Sequence, residues 1–313
     1  MNANSVNPRR RARNAAAFAG LEAPAIHPLL LTALPAIAII ALAFALAWDQ
    51  PAWVFMWSAA AGLFIAAKWC TALSHFLRQP DVSPGRLLAY VFLWPGMNAK
   101  RFCADIPPAP IAPAPLLWAL AKTLTGAALI AFAASLPQAG HPILIGWLAM
   151  IGIVLLLHFG FFDLLSLAWR ARGADAQPIM RAPITAVSLA NLWSGKWNSA
   201  FSDLMHTQFF VRLMRRLGPN RAIAVIFLIS GVLHEFVISM PAGGGYGLPT
   251  AYFALQGAGI AFERTDTGRQ LGLGARATGR LFVLILAAIP AYWLFSPLFI
   301  RNVILPMLNA IPI

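Results

Sequence analysis

The stretch TLTGAALIAFAASLPQAGHPILIGWLAMIGIVLLLHFGFF, from Thr123 to Phe162, runs for 40 residues without a charged side chain. About 20 consecutive apolar residues cross the hydrocarbon core of a bilayer as a helix, so this run is long enough for two crossings. Near its middle, LPQAGHP (Leu136–Pro142) supplies the Gly and Pro residues that separate two helices. The stretch therefore predicts a helical membrane protein.

The whole chain has the composition of a membrane protein. Of its 313 residues, 60% are hydrophobic and 11% are charged, whereas a soluble domain carries about 25% charged residues. We predict an all-α polytopic membrane protein of about seven transmembrane helices, with an eighth left open between 183 and 211. The seven are predicted from uncharged windows and turn residues at 27–48, 51–76, 115–137, 142–168, 221–240, 248–263 and 281–300.

The net charge of +13 follows this predicted topology. A nucleic-acid binder would carry its bases on one face of a soluble surface, so that class is excluded. Lys and Arg concentrate instead in segments that fall on one side of the membrane, at residues 9–13, 68–101, 170–221 and 264–280. The positive-inside rule predicts a cytoplasmic amino terminus and a carboxyl terminus on the opposite side, with Arg301 as the exception. We expect a multi-pass protein of a bacterial inner membrane.

Residues 1–26 are predicted to form a basic cytoplasmic tail, and residues 27–313 one transmembrane domain. The apolar run after the tail is too long for a signal peptide and lacks a clear cleavage site, so we expect it to be retained as the first helix. DIPPAPIAPAP (Asp105–Pro115) is predicted to be an extended connector, because five prolines in eleven residues prevent a regular helix. Cys70 and Cys103 are predicted to be free thiols, and neither a metal site nor a cofactor is expected.

The region between the fourth and fifth predicted helices mixes indoles, amides and bases, and is expected to lie on the cytoplasmic side. Its sequence is NLWSGKWNSAFSDLMHTQFFVRLMRRLGPN (Asn191–Asn220). Asp203 and His206 in this region are expected to be solvated. Apolar residues at helical spacing predict an amphipathic helix at the membrane interface, namely Phe201, Leu204, Met205, Leu213 and Leu217.

SGVLHEFVIS (Ser230–Ser239) places His234 and Glu235 side by side in an apolar segment. Adjacent helical residues point about 100° apart, so the two need not share one site. A neutral imidazole in an apolar chamber can take a proton from an alcohol, which makes His234 a candidate general base. The alternative is packing or a hydrogen bond between helices, the role that we also expect for His158 and Asp163.

Four stretches resemble the membrane-bound O-acyltransferases, particularly their wax synthase-like branch. In chain order they are YVFLWPGMNAKRF (Tyr90–Phe102), NLWSGKWNSAFSDLM (Asn191–Met205), ISGVLHEFVISMP (Ile229–Pro241) and FALQGAGIAFER (Phe253–Arg264). The most specific likeness is the Trp-Asn pair followed 36 residues later by the His-Glu pair. The resemblance implies an internal catalytic chamber, open to cytosolic acyl-CoA on one side and to a lipid-phase acceptor on another.

The resemblance also implies roles for single residues. It makes His234 the base that deprotonates the acceptor hydroxyl and Asn198 the group that holds the thioester or the developing oxyanion, with a helix cap as the alternative for Asn198. It implies substrate contacts, with interhelical hydrogen bonding or membrane anchoring as the alternative, at Trp193, Trp197, Glu235 and Gln256. From the charges, we expect the acyl-CoA phosphates, or the membrane surface alone, to attract Lys196, Arg212, Arg215, Arg216 and Arg221.

The predicted function is transfer of an acyl group from acyl-CoA, a co-substrate, to a lipophilic alcohol, giving a wax, isoprenoid or steryl ester. The expected partners are acyl-CoA, that alcohol and membrane lipids, with no nucleic acid; the oligomeric state is not predicted. One alternative is a short-chain O-acetyltransferase that acts on a sugar or polysaccharide. Another is a proton-coupled transporter, since paired His and Glu also build proton relays, although the sequence lacks the repeated halves typical of transporters. A structural membrane protein would leave the two motifs unexplained.

Overall fold

The structure, a computed structural model, describes residues 28–274 and 277–311 and is built from helices. The predicted basic tail, residues 1–26, lies outside the described residues. The main helices are, in chain order, α1 (Pro28–Ala47), α2 (Ala52–Phe76), α3 (Pro84–Leu93), α4 (Ala99–Cys103), α5 (Pro113–Ser135), α6 (Pro142–Arg170), α7 (Ser199–Met205), α8 (Val211–Leu217), α9 (Pro219–Ala242), α10 (Leu248–Glu263), α11 (Asp266–Gln270), α12 (Ala277–Leu294) and α13 (Leu305–Asn309).

Within the described ranges, six helices are long and apolar enough to cross a membrane, one fewer than predicted. They are α1, α2, α5, α6, α9 and α12. The difference is α10, which has the predicted bounds but only 16 residues. At a rise of about 1.5 Å per residue it measures about 24 Å, less than the hydrocarbon thickness of about 30 Å. Half of its residues are buried, so α10 is an interior helix of the bundle.

The predicted helix 281–300 differs from the structure at both ends. α12 begins at Ala277 and is interrupted at Pro290, which has no N–H group for the helical hydrogen-bond ladder. After Leu294 the chain turns and packs Ile300, fully buried, against Gly146 of α6. A Cβ atom at Gly146 would collide with the Ile300 side chain, so glycine is needed for this close approach.

α5 and α6 form a tightly packed antiparallel pair. A Cβ atom at Gly126 of α5 would collide with the backbone nitrogen of Leu156, which is the small-residue packing typical of membrane helices. Lys122 Nζ and Asp163 Oδ2 form an ion pair across the two helices at 2.5 Å. The interhelical contact predicted for Asp163 is therefore confirmed. His158 contacts the Phe162 ring, but its buried Nδ1 has no hydrogen-bond partner among the described residues.

The connectors agree closely with the sequence-based expectation. The chain is extended from Asp105 to Ala112, and the last prolines of the predicted connector begin α5, since proline suits the first helical turn. The predicted amphipathic helix is observed as α7, a π-helical turn at His206–Phe210, and α8. Met205 is buried, whereas Leu217 at the end of α8 is exposed.

Candidate functional site

A cavity of about 320 Å³ lies between α9, α10 and the segment from residue 190 to 210. Its walls include four residues that were predicted as site residues, namely Trp193, Trp197, Asn198 and His234. The fold thus brings together the Trp-Asn and His-Glu motifs, which are 36 residues apart in the chain. A cavity is thus observed between the two motifs, and its use as a catalytic chamber stays a prediction.

His234 lies on α9, directly before a π-helical turn at Glu235–Ser239. Its Nδ1 atom lies 2.7 Å from the backbone carbonyl oxygen of Ser230, one helical turn earlier. A carbonyl oxygen only accepts, so Nδ1 must carry the proton and donate it. In a neutral ring Nε2 is then unprotonated, with a lone pair that can accept a proton. The ring also packs against Phe253 of α10, with 4.4 Å between ring centroids.

Asn198 is the N-cap residue of α7. It adopts the left-handed backbone conformation with φ of 46°, which asparagine tolerates better than most residues. Its side-chain oxygen accepts a hydrogen bond from the backbone N–H of Phe201 at 3.1 Å. The helix cap considered as an alternative is therefore observed. The cap uses only the oxygen, and the side-chain NH₂ has no hydrogen-bond acceptor within the part of the chain that the structure describes, so capping and donation to a substrate are compatible.

Trp193 and Trp197 both line the cavity. Trp193 packs against Phe227 and Phe253, and its Nε1 donates to Gln256 Oε1 at 3.3 Å. Gln256 is fully buried, and its Nε2 donates to the carbonyl oxygen of Leu286 on α12 at 2.7 Å. Gln256 is not among the residues that line the cavity, so its observed contacts are the interhelical alternative. Its hydrogen bond fixes the orientation of Trp193.

Glu235 points away from the cavity and stabilises the start of α10. Its Oε1 accepts hydrogen bonds from the backbone N–H groups of Gly247 and Thr250, both at 3.1 Å, and from the Thr250 hydroxyl at 2.7 Å. A carboxylate is favourable at a helix amino terminus, where unpaired N–H groups and the helix dipole are positive. Interhelical hydrogen bonding, the alternative to substrate contact, is thus observed for Glu235.

The basic residues expected at acyl-CoA phosphates lie outside the cavity wall. Lys196 Nζ donates to the Thr185 hydroxyl at 2.7 Å. The other four are exposed on α8 and at the start of α9, at Arg212, Arg215, Arg216 and Arg221. None of the five is among the described residues that line the cavity.

Sequence reasoning missed several residues of the cavity. Arg264, at the end of α10, lines it and ends the FALQGAGIAFER stretch, so its position in that motif was the available signal. His206, expected to be solvated, is exposed but also lines the cavity and stacks on Phe210. Asp203, also expected to be solvated, is half-buried, and burial raises its pKa although Arg101 and other nearby groups act in the opposite direction.

The fold and the cavity define a helical, multi-pass integral membrane protein with an imidazole and a carboxamide facing one internal space. Residues 176–255, which supply most of the cavity wall, match the model of the membrane bound O-acyl transferase family. The chain is 29% identical over 143 residues to probable long-chain-alcohol O-fatty-acyltransferase 1 of Arabidopsis thaliana, covering 42% of this chain and 41% of the relative. It is 26% identical over 145 residues to long-chain-alcohol O-fatty-acyltransferase of Simmondsia chinensis, covering 42% and 40%.

These comparisons confirm the resemblance predicted from the sequence. The chain is a distant homologue of the wax synthase-like members of the membrane bound O-acyl transferase family. It spans about two fifths of the length of the curated relatives that it matches, as the 41% coverage of the first relative indicates.

Proposed function

We propose that this protein transfers an acyl group from acyl-CoA to the hydroxyl of a lipophilic alcohol and releases a neutral ester. The observation that carries the proposal is the hydrogen bond from His234 Nδ1 to the Ser230 carbonyl, which leaves Nε2 as a proton acceptor in a cavity shared with Asn198. The names of the relatives support the reaction class, because they are long-chain-alcohol O-fatty-acyltransferases.

In the proposed reaction, His234 Nε2 takes the proton of the acceptor hydroxyl as its oxygen attacks the thioester carbonyl carbon. The C–S bond of the resulting tetrahedral intermediate breaks, and the CoA thiolate leaves. The thiolate then takes the proton from the imidazolium, so the ring returns to its neutral state. The bond to the Ser230 carbonyl holds the ring orientation throughout and stabilises the charged ring, since a backbone carbonyl accepts from either form.

Asn198 is proposed to donate its side-chain NH₂ to the carbonyl oxygen as negative charge develops there. The cap holds the carboxamide in one orientation, so the donor is positioned before the reaction begins. One such donor stabilises a transition state by about 3–4 kcal/mol. Trp193 and Trp197 would shape the space around the reacting groups and exclude water, and Glu235 and Gln256 would act indirectly, by fixing α10.

The acceptor is proposed to be lipophilic because the cavity wall around His234 contains Phe227, Phe253 and Ile226. A long-chain or isoprenoid alcohol can reach such a site from the bilayer, whereas a sugar would lose its hydration there. The basic residues of α8 are proposed to attract polyanionic acyl-CoA to this side of the protein, which the positive-inside rule predicts to be cytoplasmic.

The test is an assay of CoA release by the purified protein in detergent, with acyl-CoA chain lengths crossed with alcohols, sterols and soluble sugars. We expect CoA release with lipophilic alcohols and a loss of at least about 100-fold in His234→Ala, as is typical when a general base is removed. His141→Ala, which removes an exposed histidine at the start of α6, is the matched control and should retain activity.

Two results would contradict the proposal in different ways. Transfer to sugars only would replace the lipophilic acceptor with the short-chain O-acetyltransferase alternative. No CoA release with any acceptor would favour the proton-coupled transporter.

A further inference from the structure

We propose that Arg101, which does not line the cavity, is a positioning residue for Asn198. Its ion pair with Asp175 holds the segment from residue 175 to 181, and that segment holds the backbone on either side of Asn198. This inference rests on the proposed function, because it concerns the donor group assigned there to Asn198. It also gives a role to the fully described stretch YVFLWPGMNAKRF (Tyr90–Phe102), none of whose residues lines the cavity.

The YVFLWPGMNAKRF stretch is anchored against α2. Tyr90 and Phe102, at its two ends, are fully buried. Lys68 of α2 is also fully buried, and its Nζ donates to the carbonyl oxygen of Gly96 and lies 3.6 Å from the centre of the Tyr90 ring. A buried ammonium group is stable only where such partners replace its water, so these contacts must persist in the folded protein. They fix the position of α4, which carries Arg101.

Arg101 reaches from α4 to Asp175 and binds it through two hydrogen bonds. Its Nε donates to Asp175 Oδ2 at 2.7 Å, and its Nη2 donates to Oδ1 at 3.2 Å. A planar guanidinium paired in this way fixes the direction of the carboxylate as well as its distance. The segment is also held from a second side, because Ser166 Oγ of α6 donates to the carbonyl oxygen of Ala176 at 2.7 Å. The start of the segment is therefore held between α4 and α6.

The end of the same segment runs beside the backbone that carries Asn198. The N–H group of Ser199 donates to the carbonyl oxygen of Ile179 at 3.0 Å. The N–H group of Arg181 donates to the carbonyl oxygen of Lys196 at 2.8 Å. These two bonds tie the chain before and after Asn198 to the segment. Direct contacts thus continue from the ion pair to both sides of the proposed donor.

The backbone conformation of Asn198 needs such support. Asn198 has a φ of 46° and Ala182, directly after the segment, has a φ of 50°; within the described ranges these are the non-glycine residues with positive φ. The left-handed conformation is uncommon outside glycine and persists only where surrounding contacts hold it. Both residues lie next to the two backbone bonds that join the segment to the chain around Asn198. A looser segment would let Asn198 relax and turn its side chain.

The role of Arg101 predicts which kinetic constant depends on it. The Asn198 donor has to lie within hydrogen-bond distance of the reacting carbonyl oxygen, and a shift of about 1 Å can reduce a rate about 100-fold. Neither Arg101 nor Asp175 lines the cavity, so their loss should leave substrate binding, and with it KM, unchanged and lower kcat. Both side chains of the ion pair are partly exposed, so its loss should change stability little.

The experiment measures kcat, KM and melting temperature of the purified full-length protein in detergent, in a double-variant cycle between Arg101 and Asn198. We expect Arg101→Gln to lower kcat about 10- to 100-fold with an unchanged KM for acyl-CoA, and Arg101→Lys to recover part of the loss. In the Asn198→Asp background, Arg101→Gln should lower kcat by less than about 2-fold more, because a residue that acts through Asn198 has no further effect once the donor is absent. Arg86→Gln is the matched control and should keep the wild-type kcat, since it removes an arginine of α3 that is paired with Asp105 at 3.0 Å.

Two further measurements examine the ion pair itself. Asp175→Asn removes the same pair from its other side and should lower kcat as much as Arg101→Gln does. Backbone hydrogen exchange gives a readout that does not depend on activity. Peptides that cover residues 178–200 should exchange faster in Arg101→Gln than in wild type or in Arg86→Gln, because the segment loses its attachment to α4.

The outcomes separate this inference from the proposed function. Equal kcat in folded Arg101→Gln and Arg86→Gln would overturn the positioning role and leave the acyltransferase standing. So would a loss from Arg101→Gln that has the same size with Asn198 and with Asp at position 198. If Arg101→Gln does not fold, Asp175→Asn decides by the same measurements. Wild-type protein that releases no CoA with any acceptor would refute the proposed function and the kinetic part of this inference, and unchanged exchange in Arg101→Gln would show that the ion pair does not hold the segment.

Discussion

Two of the regions where polar side chains lie within membrane-crossing helices differ in their hydrogen bonding. Between α5 and α6, Lys122 and Asp163 bind each other, so each charge is compensated by the neighbouring helix. On α9, His234 binds only a carbonyl of its own helix, and its second nitrogen has no partner in the described part of the chain. The ion pair accounts for Lys122 and for Oδ2 of Asp163, whereas Asp163 Oδ1 is buried without a hydrogen-bond partner among the described residues. In the second region, a ring nitrogen without a partner among the described residues belongs to a side chain that lines a cavity, which is the arrangement expected of a site.

The neighbouring residues His234 and Glu235 differ in the same way. Glu235 follows His234 in the chain, yet its Oε1 accepts three hydrogen bonds from Gly247 and Thr250 and none of its contacts reaches the cavity. A polar motif inside a membrane helix is thus not evidence of function as a unit. Each member has to be judged by which atoms its hydrogen bonds leave free and by where those atoms lie. Glu235 Oε2 is also without a hydrogen-bond partner among the described residues, but Glu235 does not line the cavity.

The largest effect that tests this comparison is expected at Asn198, where a cap and a proposed catalytic donor share one side chain. Asn198→Asp keeps an oxygen for the cap of α7 and a residue type that tolerates the left-handed conformation, but it replaces the NH₂ donor with an acceptor. We expect turnover to fall by about 10²–10³-fold with an unchanged melting temperature. Asn198→Ala should lose turnover and, through the cap, about 1 kcal/mol of stability. Normal turnover in the Asp variant would leave Asn198 as a cap only.

The sequence was sufficient for the part of the fold that depends on local pattern. Uncharged runs and prolines placed α2 and α10 within one residue of their observed bounds. The resemblance to O-acyltransferases implied one site for His234 and Asn198, and both residues line one cavity. The pattern failed where packing decides. At the carboxyl end an apolar run read as one long helix is divided by prolines, and its second part folds back so that Ile300 contacts α6.

Arg264 was missed for a similar reason. In the sequence it is one of several arginines after α10, and only the antiparallel packing of α9 and α10 sets it at the end of the cavity beside Asn220. The direction of Glu235 was partly foreseeable, because adjacent helical residues point about 100° apart. The sequence did not predict that Glu235 would cap the start of α10.

The second prediction concerns the ion pair of Lys122 and Asp163, whose loss should lower stability without changing catalysis. Asp163→Ala leaves Lys122 without its partner at membrane depth and should lower the free energy of unfolding by about 2–3 kcal/mol, less than for a fully buried pair because both side chains are partly exposed. Activity per folded molecule should remain. The double variant Lys122→Met, Asp163→Leu should recover most of the stability, measured as the melting temperature in detergent. A loss of activity in well-folded Asp163→Ala as large as that of His234→Ala would break the comparison.

The smallest effect is expected outside the membrane helices, at two carboxylates that line one cleft. Hydrogen bonds compensate the burial of one carboxylate and do not compensate the burial of the other. Burial raises the pKa of Asp175, but its hydrogen bonds from Arg101 and Gln177 lower it by more, so its folded pKa lies below the ordinary value. Burial raises the pKa of Asp203, and the nearby charges of Arg101 and Arg181 do not offset it.

The signs of these two pKa shifts predict opposite responses to pH. Asp175 contributes stability above its unfolded pKa, and that contribution is lost as pH falls through its lower folded pKa. Asp203 favours the folded state only when it is protonated, so its contribution is lost as pH rises through its raised folded pKa. At pH 7, Asp175→Asn should therefore destabilise and Asp203→Asn should stabilise, each by less than about 1 kcal/mol because both carboxylates are partly exposed and salt screens them. On acidification below the ordinary carboxyl pKa both differences from wild type should shrink. Melting temperatures at pH 7 and at acidic pH, in low and high salt, measure this. Destabilisation by Asp203→Asn at pH 7 would mean that Asp203 is as fully paired as Asp175, and that the half-buried carboxylate of α7 has a hydrogen-bonding role in holding the segment that carries Asn198.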